Sequence, residues 1–219
     1  MIEPSTAPAP AERPRPPVRL FRSHALERLT HTSVATILAF WIPVFVLCLV
    51  IGVDRGGFGA AKAATLFLAG AAAWTLFEYL LHRFVFHIER WIPPARPLSF
   101  LLHGVHHADP GDASRDIMPL IGSVPIFAAL VALAAPLLGV ATTLTALSGF
   151  GAAYLAYDLT HYACHQRRWR GPVTGYLKRH HLSHHYADGF RNFGVTSPLW
   201  DIVFGTLRRS ERRRSAAAD

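Results

Sequence analysis

The apolar run at residues 34–53 constrains the fold of this chain more than any other feature of its sequence. It contains no charged residue, and it has the roughly 20 residues that an α-helix needs to cross the hydrocarbon core of a bilayer. Similar runs at 63–81, 117–140 and 141–157 predict four spanning helices, paired as two hairpins. The mean hydropathy of +0.25 and the 16% of charged residues favour membrane spans over a soluble bundle of buried helices. We therefore predict an all-α integral membrane protein.

The distribution of Lys and Arg predicts which ends of these helices face the cytoplasm. Five lie before the first span, four in the connection 82–116 and eleven after residue 158, whereas the opposite loops carry only Arg55 and Lys62. Positive charge in short loops is retained on the cytoplasmic side. Both termini are therefore expected there, together with a helical cap built from 82–116 and 158–207. The net charge of +8 is expected to meet anionic lipid headgroups rather than nucleic acid.

One membrane domain is expected over residues 18–207, between two tails. Residues 1–17 carry six prolines and no apolar core, which is typical of a disordered tail rather than of a signal peptide. Residues 18–32 mix apolar side chains with arginines and predict a short helix on the membrane surface. Residues 208–219 are interpreted as a basic tail.

Ten of the thirteen histidines fall into four spaced motifs on the predicted cytoplasmic side. In chain order the motifs are H-x4-H, H-x2-H-H, H-x3-H and a second H-x2-H-H, formed by His82, His87, His103, His106, His107, His161, His165, His181, His184 and His185. On a helix, positions i, i+3 and i+4 share one face, so each triplet can aim three imidazoles at one point. Neutral imidazole is the commonest metal ligand, and ten exceed what one ion accepts. The motifs together predict a two-metal site.

The spacing of the first motif leaves its geometry open. Five residues advance a straight α-helix by about 500°, so His82 and His87 do not share a face. Either the helix turns or ends there, or the two residues serve different metals. His180 is the surplus member of the last motif, and it is expected beside the site or at the surface. His24 and His31 lie outside every motif and are expected to be interfacial polar residues.

Two carboxylates precede motif histidines by about one helical turn. Glu78 comes before His82 and Asp158 before His161. A ligating imidazole usually hands its other N–H to a carboxylate or carbonyl, and a carboxylate at the end of an apolar span is costly to bury alone. Glu78 and Asp158 are therefore candidates for orienting the ligand imidazoles and so supporting catalysis. The alternative is an interfacial pairing with arginine.

The four motifs and the stretch after the last one resemble the fatty acid hydroxylase/sterol desaturase superfamily. That stretch reads Asn-Phe-Gly-Val-Thr-Ser-Pro-Leu-Trp-Asp over 192–201 and Val-Phe-Gly-Thr over 203–206, and it is most similar to the fatty acid 2-hydroxylase branch. The resemblance covers roughly residues 30–208. It implies a membrane-bound oxygenase that uses O2 and two non-haem iron ions, for which zinc can substitute on recovery. It also implies that the ten motif histidines are the ligands.

The resemblance further implies hydroxylation of a lipid acyl chain, with electrons from a separate electron-transfer protein. A lipid or sterol desaturase and a carotenoid hydroxylase of the same superfamily would use similar motifs and stay open as alternatives. A metal transporter, from another class, would need ligands near the middle of the spans, where this sequence has no histidine. Aromatic residues flank the motifs and are expected either to line an acyl tunnel or to anchor the interface; they are Phe84, Phe86, Trp91 and Trp200.

Overall fold

The structure is a computed structural model that describes residues 18–208, and every regular element within that range is a helix. The tails predicted at 1–17 and 208–219 lie outside the described residues, apart from Arg208. The α-helices are α1 His24–Leu29, α2 Val34–Gly56, α3 Ala60–Leu80, α4 Arg96–Ser99, α5 Val105–Ala108, α6 Leu120–Leu138, α7 Val140–Gln166, α8 Pro172–Tyr186 and α9 Leu199–Val203. The prediction of an all-α chain is confirmed.

Three stretches are long and apolar enough to cross a membrane, namely Val34–Gly56, Ala60–Phe86 and Leu120–Leu138. They correspond to the first three predicted spans and indicate a membrane protein. Glycines fix two of the helix ends. Gly57 ends α2 with a φ of 57° and Gly139 alone connects α6 to α7 with a φ of 78°, a backbone region that glycine enters without steric cost.

The fourth predicted span, 141–157, forms the first part of α7 and is not among those three stretches. Most of its polar residues are buried inside the bundle, where the Thr145 and Ser148 hydroxyls donate to main-chain oxygens one turn back, at 2.9 and 2.7 Å. The helix packs along both α2 and α3, so it meets protein on several sides and needs fewer apolar residues. It also continues to Gln166, which places the third histidine motif on the same helix.

Close packing between α3 and α7 depends on two glycines. A Cβ atom at Gly70 would overlap the carbonyl of Ala146, and one at Gly149 would overlap the carbonyl of Phe67. Small residues of this kind allow two helix backbones to touch. Beside this crossing, the buried ring of Trp74 lies 5.0 Å from that of Phe150. The ends of α3 and α7 are thereby held side by side.

Short helical segments connect α3 to α6. The end of α3 rewinds into a π-helix at Leu81–Phe86, two 3₁₀ turns follow at Ile88–Arg90 and Pro93–Ala95, and a second π-helix at Phe100–Gly104 joins α4 to α5. Single-turn π-helices are rare and are often found at functional sites. Both of them carry motif histidines.

Candidate metal centre

The ten motif histidines form two groups of five. Group A contains His82, His87, His103, His107 and His184, and group B contains His106, His161, His165, His181 and His185. In each group, one ring nitrogen per residue lies within 4.8 Å of those of the other members. The described contacts between Nε2 atoms within the groups span 2.8 to 3.2 Å. Each group could therefore hold one metal ion.

The first motif reaches group A through the π-helix. In such a helix the hydrogen bonds run from i to i+5, which brings residues five apart towards the same side. The rings of His82 and His87 accordingly lie 5.3 Å apart. Of the possibilities that the sequence left open, the structure shows a rewound helix whose two histidines join one group.

Each triplet is divided between the groups instead of pointing at one place. His103 and His107 enter group A while His106 enters group B, and on α8 His181 and His185 enter group B while His184 enters group A. One residue of advance turns a helix by about 100°. The pair at i and i+4 therefore faces one group, and the remaining residue at i+3 reaches the other. The segment around α5 and helix α8 therefore each contribute histidines to both groups.

Main-chain carbonyl groups fix the orientation of three of these rings. The Nδ1 atom of His82 lies 2.6 Å from the oxygen of Phe193, that of His184 2.8 Å from the oxygen of Arg191, and that of His161 2.6 Å from the oxygen of Asp116. A carbonyl oxygen only accepts, so Nδ1 carries the proton and Nε2 of the neutral ring presents a lone pair. The buried Nε2 of His161 has no hydrogen-bond partner among the described residues.

The positions of the ring nitrogens fit a bound metal ion in each group. Three of the ten rings present a lone pair from Nε2 into the groups, and ring nitrogens about 3 Å apart suit metal–nitrogen bonds of roughly 2.1 Å. Burial, reinforced by the neighbouring imidazoles, lowers the pKa of His107 to about 3. The same causes hold the pKa values of His103, His106, His181 and His184 well below the usual range. The rings are therefore neutral at physiological pH, as ligation requires.

Asp116 contacts group B, and the sequence analysis missed it. Its main-chain oxygen binds His161, its Oδ1 lies 3.2 Å from Nδ1 of His106, and its Oδ2 accepts from Gln166 at 2.7 Å. Burial raises the pKa of this carboxyl to about 7. It lies in the loop before α6, outside the helical segments that carry His106 and His161, so no helical spacing could indicate it.

Glu78 and Asp201 act on the loop that follows α8. Glu78 accepts the N–H groups of Val195 and Thr196 at 2.6 and 3.0 Å and the Thr196 hydroxyl at 2.6 Å. Asp201 accepts the N–H groups of Phe193 and Gly194, both at 2.9 Å. Among the described contacts, neither Glu78 nor Asp201 hydrogen-bonds to an imidazole of group A. Both instead fix the loop whose Phe193 oxygen binds His82.

The other residues singled out by the sequence lie outside both groups. Asp158 accepts the N–H of Met118 at 3.5 Å and has no described hydrogen bond to His161. His180 is buried beside the site, with its Nε2 3.1 Å from Asp201. His24 is exposed, and His31 lies 2.6 Å from the Ser114 hydroxyl.

A cavity of about 300 Å³ adjoins the histidines. His103 of group A and His106 and His161 of group B contribute to its lining, which is otherwise mainly apolar. Its volume and lining are those of a small-molecule site. Of the four aromatic residues that flank the motifs, Phe86 lines the cavity, whereas Trp200 donates to the Thr75 hydroxyl at 3.1 Å. Phe84 and Trp91 are exposed.

Comparisons with known proteins agree with this geometry. The sequence model of the fatty acid hydroxylase family matches residues 67–206. The "Dihydroceramide fatty acyl 2-hydroxylase FAH1" of Arabidopsis thaliana is 37% identical over 201 residues, which are 90% of this chain and 82% of that protein. The "Ceramide very long chain fatty acid hydroxylase SCS7" of Saccharomyces cerevisiae is 38% identical over 184 residues, 83% of this chain and 47% of that protein.

A solved structure has the same fold. It is described as "Full length scs7p (only hydroxylase domain visible)", and it superposes with a TM-score of 0.78 at 37% identity, over 84% of this chain and 70% of that one. The superfamily that the histidine motifs indicated is confirmed. This chain belongs to the fatty acid hydroxylase family.

Proposed function

We propose that this protein hydroxylates the acyl chain of a membrane lipid at the carbon next to the carbonyl group, as the names of its relatives specify for them. The observation that carries the proposal is the lining of the cavity. One mainly apolar cavity is lined by imidazoles of both histidine groups, so one methylene of an acyl chain can lie beside both candidate metal positions. Burial of apolar surface binds such a chain at roughly 25 cal/mol per Å².

We assign the five histidines of each group as the ligands of one iron ion. A pair of iron ions held there would supply the activation of O2 and the oxidation of an unactivated C–H bond. Imidazole nitrogen also suits zinc, which is therefore expected to compete for both positions. The protein itself holds the rings neutral and oriented, since their Nδ1 atoms are bound to fixed carbonyl oxygens.

The membrane arrangement is part of the proposal. We place residues 141–157 of α7 as a fourth span, supported by the packing of this helix against α2 and α3. The excess of Lys and Arg at the histidine end of the chain supports a cytoplasmic position for both termini and both groups. A separate electron-transfer protein could then reach the centre from the cytoplasm while the lipid enters from the bilayer.

Lipid mass spectrometry tests the reaction. Cells that produce the protein are expected to contain acyl lipids heavier by one oxygen atom, absent from cells that lack it. Cells producing a His184→Ala variant serve as the matched control, because that variant keeps the same membrane helices and loses one group A imidazole. Lipids lighter by two hydrogen atoms would instead identify a desaturase, which the same ligand set also permits. An unchanged lipid profile would contradict both reactions.

A further inference from the structure

One wall of the cavity comes from residues outside the matched family region. The family model begins at residue 67, yet Leu20, Phe21, Leu26 and Leu29 line the same cavity as His103. These four belong to α1 and the residues just before it. We refer to residues 18–31 as the strap.

The strap is built around Glu27. One carboxylate oxygen of Glu27 accepts the N–H groups of Leu20 and Phe21 at 3.0 and 2.7 Å. The other lies 2.5 Å from an Nη atom of Arg115. The side chain of Arg115 is 3% exposed, so removal of the Glu27 charge would leave a buried guanidinium with less compensation, which costs more than breaking a surface pair.

Arg115 holds the strap at further points. Its guanidinium donates to the Val18 carbonyl at 2.8 Å and lies 3.0 Å from Nε2 of His31. It directly precedes Asp116, which contacts two imidazoles of group B. The position of the strap is thus tied to the loop that orients the metal centre.

The mouth of the cavity is apolar. Leu26, Leu29, Leu101 and Ile121 line it and are between 40% and 54% exposed. An apolar opening exposed to water would be unfavourable, whereas the same opening suits the acyl region of a bilayer. Two of these four residues belong to the strap.

We propose that the strap is the lipid-facing wall of the acyl-binding site and that the Glu27–Arg115 pair positions it, so that a bound acyl chain passes between Leu26 and Leu29 on one side and Leu101 and Ile121 on the other. The inference rests on the proposed function only in taking an acyl chain as the ligand. It assigns substrate contact to a segment that the family match does not include.

Photo-crosslinking to the full-length, metal-loaded protein in lipid vesicles tests the proposal. The probe is a long-chain saturated fatty acid that carries a diazirine near its methyl end. Mass spectrometry is expected to find label on the strap, and an excess of the unmodified fatty acid is expected to remove most of it. Leu133 and Leu137 on α6, which are 70% and 83% exposed, report labelling by bulk lipid, and their label is expected to resist competition.

A Glu27→Gln variant tests the positioning role. We expect competed label on the strap to fall by at least about fivefold, because the loss should exceed that of an exposed ion pair, while metal content stays unchanged. Arg28→Gln, which alters an exposed residue of the same helix, is the matched control and is expected to label like the wild type. If Glu27→Gln does not fold, Phe21→Ala removes one wall side chain and is expected to lower the competed label in the same way.

The outcomes separate this inference from the proposed reaction. The inference would be overturned, even if the enzyme hydroxylates lipids, by strap label that resists competition as the α6 label does. Competed strap label that is unchanged in both Glu27→Gln and Phe21→Ala would also overturn it. Competed strap label in a protein that hydroxylates no lipid would support the acyl site and contradict the reaction.

Discussion

The orientation of individual imidazoles in this protein depends largely on main-chain oxygens. His82, His161 and His184 each direct Nδ1 at a carbonyl group. A main-chain carbonyl group is not removed when the side chain of its residue is substituted. These contacts should therefore survive substitution of Phe193 or Arg191 as long as the backbone conformation of the loop is unchanged. The residues that matter for orientation are therefore those that hold the loops, above all Glu78 and Asp201.

Loss of a single imidazole should abolish metal binding in its group. In a His184→Ala variant, group A loses a ring whose Nε2 lies 3.2 Å from those of His87 and His107. We expect about one metal ion fewer per chain and no detectable hydroxylation, measured by elemental analysis and by lipid mass spectrometry. His24→Ala changes an exposed histidine outside both groups and should retain wild-type values. Full activity in His184→Ala without the corresponding ion would show that group A is not a metal site.

Replacement of Glu78 by glutamine should weaken metal retention without abolishing it. Glutamine keeps one oxygen that can accept both N–H groups, and its NH2 group can meet the Thr196 hydroxyl only if that hydroxyl turns to accept. The negative charge that strengthens these hydrogen bonds is lost, and the loop carrying Phe193 loosens. Groups of this kind typically change metal affinity by about 10- to 100-fold. Competition with a chelator of known affinity measures the change. Unchanged retention and unchanged turnover would remove Glu78 from the support of His82.

At the scale of helices, the crossing of α3 with α7 determines whether the two groups can assemble. A Gly70→Ala substitution places a methyl group against the Ala146 carbonyl and must push the helices apart. Overpacking typically costs about 1–3 kcal/mol, and here it also displaces His82 relative to His161. We expect a lower thermal midpoint and reduced metal content in Gly70→Ala. In Gly59→Ala the new Cβ meets nothing within 4 Å, so both quantities should match the wild type, and equal behaviour of the two variants would contradict the role of the crossing.

Sequence periodicity indicated most of the helices, but it did not indicate how the histidines divide between groups A and B. The first three spans follow from local composition. The rewinding of the chain at Leu81–Phe86 does not follow from composition, because π-helical hydrogen bonding has no local residue signature. It accompanies the convergence of His82 and His87 with His184, almost a hundred residues later. Asp116 was missed for a related reason, since it reaches His106 through tertiary structure. A signal for Asp201 was present, as the acidic end of the 192–201 stretch, but spacing alone could not show that it binds the main chain.

For the whole molecule, the metal centre joins the segments around α5 and helix α8 to the packed ends of α3 and α7. The groups draw on the end of α3, the segments around α5, the end of α7 and α8. Removal of metal with a chelator should therefore lower the thermal midpoint of the detergent-solubilised protein, because a ligand present at 1,000 times its Kd stabilises the folded state by about 4 kcal/mol. Restoration of the midpoint by iron or zinc, but not by calcium, is the expected control. A midpoint that does not change on chelation would contradict structural coupling through the centre.

Acid should destabilise the metal-free protein through its buried imidazoles, which outnumber Asp116, the buried carboxyl whose raised pKa acts in the opposite direction. Burial holds the pKa of His107 at about 3 in the folded state, against about 6.5 in an unfolded chain. Below pH 6.5 the unfolded state therefore binds a proton that the folded state excludes, so stability that is fully present above pH 6.5 is lost as the pH falls towards 3. At about pH 5 one ring shifted like His107 costs roughly 2 kcal/mol, and burial shifts the pKa of several other rings in the same direction. We expect the thermal midpoint of the metal-free protein to fall steeply between about pH 7 and pH 5, and His107→Gln to reduce that slope by about one proton. A midpoint that is constant over this range would mean that the rings are open to solvent and that the groups do not form without metal.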